Sequence, residues 1–285
     1  MTPTLWGLLA AVGWGSSDLL ARITTRTLGP IGAMWGLSVT GSLIAALALP
    51  FLPTHLPHTA WPWLAAASFA ALFGPLLFYR ALRLGPMSLV APLAAAYPAW
   101  IVLAAIATGL RPSPAAWFAM TLAFAGVIIV ARTAPADPDS VLAADPANRR
   151  HAIITALLTS LAFAVSLLAG RSASARAGSL TTILAARLTA TAVAGTTRPW
   201  RTPGFTNPKI WAVLLFQAIL DNTAFAAFYL GSQHNGAAAT AVAGSAFMVV
   251  AILLAAIFFH EHLNLPCAAG AAAVFAGIAF LAAAS

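Results

Sequence analysis

Apolar runs of roughly 18–22 residues recur along the whole chain, the length a helix needs to cross about 30 Å of hydrocarbon. Of the 285 residues, 61% are hydrophobic and 7% charged, too few charges to cover a soluble domain of this size. In hydrocarbon the backbone must satisfy its own hydrogen bonds, which leaves helices or a closed barrel. Barrel strands are about half as long and alternate polar with apolar residues; these runs do neither. The expected fold class is an all-α integral membrane protein. Ten transmembrane helices fit, at 4–21, 30–50, 60–82, 87–109, 113–131, 151–170, 179–196, 208–230, 235–259 and 264–284.

The chain also repeats itself. Residues 78–131 align without a gap onto 229–282 at a constant offset of 151. Gly85 falls on Gly236, the run 103–106 on 254–257, and Phe124-Ala125-Gly126 on Phe275-Ala276-Gly277. Residues 1–132 form a first five-helix repeat, 133–150 a polar linker and 151–285 a second repeat. The linker carries Asp137, Asp139 and Asp145, half of the 6 acidic residues, beside Pro135, Pro138 and Pro146. An odd number of spans per half turns the second repeat upside-down relative to the first. Inverted repeats of this kind place a substrate site near the midplane, between the halves. Small-residue spacings support close helix packing: Gly32 with Gly36, and Ala269, Ala273 and Gly277.

The net charge of +8 is expected to sit in loops facing anionic lipid, not on a nucleic-acid surface. Arg22, Arg26, Arg80, Arg83, Arg132, Arg149, Arg150, Arg198, Arg201 and Lys209 fall on one side; Arg111, Arg171 and Arg176 fall on the other. That bias makes the first side cytoplasmic and puts both termini outside. Cys267 stands alone, which excludes an intrachain disulfide. The N-terminus lacks a basic leader and reads as a retained first span.

Several side chains could line a solute site. Trp14, Ser17 and Asp18 share one face of the first span. Tyr79 lies in the last turns of the third. Tyr97 and Trp100 share a face of the fourth, and the sixth presents Thr159, Phe163, Ser166 and Gly170 at helical spacing. Trp6, Trp61, Trp63, Trp117 and Trp211 sit near span ends, where interfacial aromatics belong. Asp221 lies mid-span with Gln217 one turn before it and Asn222 beside it. Arg187 is eight residues from the start of the seventh span, and Asp221 is nine from the end of the eighth. In antiparallel neighbours that is nearly equal depth, so the two can pair. Two roles stay open for the pair: a cavity group handling substrate or a coupling proton, or a structural salt bridge. Asp18, one turn before Arg22, reads as a local helix pair. Pro75, Pro92 and Pro98 remove backbone bonds inside apolar spans, and Gly244 with Ser245 offers a flexible point; these are candidate gating kinks.

His260-Glu261-His262 is not expected to bind metal, because histidines two apart on a helix diverge by about 200°. No Gly-rich phosphate loop, nucleophile–base set or carboxylate cluster is present, so no cofactor or metal is expected. An intramembrane lipid or prenyl enzyme needs clustered acids, and a channel needs polar stripes on several helices. A transporter working by alternating access between the two halves fits better.

Trp14-Gly15-Ser16, Leu28-Gly29-Pro30, Tyr97-Pro98, Glu261 and the Phe-Ala-Gly steps together resemble the drug/metabolite transporter superfamily, in particular its EamA-type ten-helix exporters. The resemblance covers essentially the whole chain, and the aromatic and neutral amino-acid exporter branch looks nearest. It departs where His260 replaces a glycine and where Leu110 stands opposite Glu261. It implies a multi-pass protein of the bacterial inner membrane that exports small metabolites, amino acids or drugs. Its cavity aromatics fall on Trp14, Tyr97 and Phe163. It also implies cytoplasmic termini, opposite to the arginine count. The expected partners are a small-molecule substrate and membrane lipid, without nucleic acid, for a chain acting as a monomer.

Overall fold

The computed structural model describes residues 1–51, 56–97, 99–100, 103, 114–133, 146–233, 237–259 and 264–283. They are helical, with no strand among the described residues. Helix α1 (Pro3–Ala48) starts with Pro at its first position, capped by Thr2 Oγ1, which accepts from the Leu5 amide at 3.3 Å. It breaks once, at Gly29 (φ 73°, ψ 166°), a conformation that essentially only glycine adopts. Pro30 then opens the second arm, where a missing N–H costs nothing. The remaining helices are α2 (Trp61–Leu84), α3 (Met87–Ala94), α4 (Pro114–Thr133), α5 (Pro146–Ala177), α6 (Ser179–Gly195), α7 (Pro208–Gly231), α8 (Ala237–Ser245), α9 (Phe247–Phe259) and α10 (Leu265–Ala283).

Three boundaries differ from the sequence expectation; one is the sixth span, whose helix runs on to Ala177 instead of ending at 170. The first span does not stop at residue 21: its helix runs on to Gly29. Thr24 and Thr25 direct their hydroxyls to the carbonyls of Ala21 and Arg22, so their polarity does not end the helix. Arg22 is therefore no loop charge. It is 1% exposed, and its guanidinium lies 4.3 Å from the centroid of the Phe259 ring. The expected linker 133–150 is also shorter, because α5 already begins at Pro146, a residue suited to a helix start. Residues 134–145, Pro98, most of the second part of the 87–109 span and the 260–262 motif lie outside the described residues.

Among the described residues, four helices are long and apolar enough to cross a membrane: Pro3–Ala48, His58–Leu84, Ala147–Ala177 and Pro208–Gly231. Shorter apolar helices are Ser179–Gly195, Ala243–Phe259 and Leu265–Gly277. The outer faces are apolar, with Phe258 64% and Leu265 84% exposed, while Arg187, Gln217 and Asp221 are buried inside. That polarity suits a lipid solvent.

The packings come in matched sets. Helix α1 packs on α7 as α2 packs on α5; α1 packs on α8 and α9 as α5 packs on α3. The contacts α4–α10, α3–α9 and α1–α6 map onto themselves when the halves are exchanged. Tight approaches make them possible. A methyl group at Gly126 would lie 2.6 Å from the Gly270 carbonyl oxygen, so α4 and α10 touch backbone to backbone. The repeat offset recurs in the breaks as well. Helix α3 ends in a turn at Ala95 and Ala96, and α8 is separated from α9 by a turn at Ala246, which is 95 plus 151. There the Ala96 amide reaches the Leu93 carbonyl at 3.3 Å and the Ala246 amide the Ala243 carbonyl at 3.2 Å, three residues back instead of four.

Gly29→Ala should destabilise the protein by about 1–3 kcal/mol, the cost of forcing a side chain into that backbone conformation. Thermal unfolding of the purified protein in detergent measures it, and an unchanged midpoint contradicts the positive φ.

Candidate functional site

A partly open cavity of about 60 Å³ lies between the two halves. Its volume, measured as space for water centres, is several times the roughly 10–15 Å³ that one water needs. The first half contributes Trp14, Asp18 and Leu37 from α1, Pro75, Phe78 and Tyr79 from α2, and Tyr97. The second half contributes Phe163, Ser166 and Leu167 from α5, Asp221 and Phe225 from α7, and Phe247 from α9.

Aromatic rings build most of the wall. Trp14 meets Phe225 edge-on at 5.2 Å and Phe247 at 6.4 Å. Across the cavity Phe163 lies 6.1 Å from Phe78 and presses on Gly74, where an added methyl would sit 2.9 Å from its ring.

Behind the wall lies a polar anchor. Arg187 of α6 donates through Nη2 to Asp221 Oδ2 and through Nε to Asn222 Oδ1 at 3.0 Å. Asn222 in turn donates to the Gly41 carbonyl at 2.9 Å. Gly41 makes room for this: a methyl there would lie 2.9 Å from Arg187 Nε. The anchor ties the second arm of α1, α6 and α7 together. Helix α7 reaches α2 through Gln217, which donates to the Tyr79 hydroxyl at 3.0 Å and accepts from Thr24 Oγ1 at 3.3 Å. Tyr97 crosses between the halves, donating to the Ala241 carbonyl at 3.1 Å.

The structure brings Trp14, Tyr79, Tyr97, Phe163, Ser166, Asp221 and Pro75 of the expected residues to the cavity wall. Others lie elsewhere. Ser17 is buried off the wall. Trp100 donates to Ser160 Oγ at 2.7 Å, a bond between the halves, and does not line the space. Gln217 is fully buried and acts on the cavity only through Tyr79. Arg187 stands behind Asp221. Pro92 is buried within α3 away from the wall. Gly244 lies under Trp14, where an added methyl would meet the indole at 3.6 Å, an ordinary contact. The break in that span falls two residues later, at Ala246. Thr159 is spent on its own helix, bonding the Thr155 carbonyl at 2.8 Å.

Asp18 is the largest correction. No pair with Arg22 exists among the described residues, and Asp18 faces the cavity instead. Helical spacing places it one turn from Trp14, a signal that the neighbouring arginine masks. Phe225 is likewise one turn beyond Asp221. Phe247 follows the break at Ala246, which no residue type announces.

Fold and cavity define the class: a multi-pass helical membrane protein with a cavity between matched halves. Among solved structures, one crystal structure of a protein overlays 98% of this chain and 95% of its own length, with a TM-score of 0.64 at 18% identity; that is a shared fold. No curated protein matches the chain. A family model does, over residues 1–132 and 150–283, and the chain belongs to the EamA-like transporter family. It is a small-molecule transporter of the drug/metabolite transporter superfamily.

Removing one partner of the anchor leaves a buried charge alone, so Arg187→Leu or Asp221→Leu should each cost about 3–5 kcal/mol. The double substitution should recover most of that loss. Thermal unfolding of the three variants checks it, and additive losses contradict a coupled pair.

Proposed function

We propose that this chain is a secondary transporter exporting aromatic or other neutral amino acids across the bacterial inner membrane. On this reading ten spans form two inverted five-helix repeats, and the halves rock about the cavity to expose it to each side in turn. The carrying observation is the cavity itself: a partly open space between the halves, walled by aromatic rings and holding a few polar groups. Apolar walls with sparse, placed polar atoms suit an amphipathic solute of this size.

The helix breaks support the same reading. The turn at Ala95 and Ala96 is followed at once by Tyr97, and the turn at Ala246 by Phe247; both rings line the space. Transporter sites are commonly built where spans are interrupted, because the backbone can reorient there.

The test is efflux from proteoliposomes loaded with labelled amino acids, with and without a pH gradient. Phenylalanine and similar solutes should leave faster than from protein-free vesicles. Trp14→Ala and Phe163→Ala should slow efflux on the order of tenfold, as expected for losing a ring contact and its buried area. Trp117→Phe, on the exposed outer face, should leave it unchanged. Silence across all amino acids alongside movement of another metabolite contradicts the substrate assignment.

A further inference from the structure

We propose that Asp18 is the anchor for the ammonium group of the transported solute. The inference rests on the cavity being the substrate site and adds the group that reads the amine. The cavity wall carries two carboxylates, Asp18 and Asp221. They are not equivalent. Asp221 is neutralised by Arg187, which stands behind it and off the wall. Among the described residues, Asp18 has no hydrogen-bond donor and no cation.

The charge balance then selects the ligand. Arg187 and Asp221 sum to zero, so the wall holds one further carboxyl group, Asp18, with no cation beside it among the described residues. A carboxylate held away from water at membrane depth needs a cation or a proton. A solute bearing one ammonium supplies the cation. Trp14 sits one turn before Asp18 on the same helix face, so its ring and the carboxylate address the same point. A ring face attracts an ammonium in the same direction as the carboxylate does.

Hydroxyls on the wall offer the solute further contacts. Tyr79 accepts from Gln217, so its own O–H remains to donate into the cavity. Ser166 presents a second hydroxyl. These donors suit a carboxylate without demanding one. The recognised class is therefore a primary amine on an apolar or aromatic body, of which a neutral amino acid is one case. An organic acid without an amine meets Asp18 as a like charge and is rejected.

Calorimetric binding to the purified full-length protein tests this with three probes of matched ring and chain: phenylalanine, phenethylamine and 3-phenylpropionate. The wild-type protein should bind both amines and take the acid at least about tenfold more weakly, the loss of a charged hydrogen bond. Asp18→Asn should weaken both amines by about tenfold or more and leave the acid unchanged or tighter, while Asp18→Glu should restore part of the amine binding. Amine affinity untouched by Asp18→Asn overturns the proposal. So does a wild-type protein that binds the acid as well as the amines, or that binds none of the three. The wild-type comparison decides even where Asp18→Asn fails to fold. Asp18-dependent binding of phenethylamine without binding of phenylalanine keeps the amine anchor and removes the amino-acid reading.

Discussion

A charge inside hydrocarbon must be matched, and this single requirement shapes the centre of the molecule. The guanidinium of Arg187 is met by Asp221, then by Asn222, and Asn222 is held by the Gly41 carbonyl. Gly41 is a glycine because the guanidinium occupies the volume a side chain would need. The result is one fixed, neutral unit joining the second arm of α1 to α6 and α7. With Asp221 spoken for, the cavity's remaining carboxyl group is Asp18. The same rule therefore accounts for a rigid corner and requires that Asp18 hold a proton or meet a cation.

Backbone geometry supplies the rest. Where glycines meet, as at Gly126 and Gly270, helices approach until their main chains touch, and dispersion and packing hold the bundle in a solvent that offers no hydrophobic drive. Where helices break, at Ala95 and Ala246, rings are carried to the cavity. The breaks lie beside the space.

The membrane character, the two-part organisation and most of the wall are legible in the sequence. Length and apolarity of the runs carry the first, and a constant offset the second. Trp14, Tyr97, Phe163 and Asp221 stand out because rings and charges are rare at that depth. Other features are not legible, for physical reasons. A threonine bonded to its own helix looks like a loop residue, so the helix through Arg22 looks shorter than it is. A carboxylate four residues from an arginine looks paired, and Asp18 is not. Ala246 breaks a helix with no proline or glycine at the break itself. Gly41 has meaning only once Arg187 is placed against it.

The most direct measurement concerns access to the cavity. A single cysteine at Ser166, with Cys267→Ser removing the native thiol, is exposed in vesicles to a membrane-impermeant thiol reagent from one side and then the other. Reaction from both sides, slowed by phenylalanine, is the expected result for a site that opens alternately. Reaction from one side alone, or reaction that phenylalanine leaves unchanged, contradicts a transport pathway through this space.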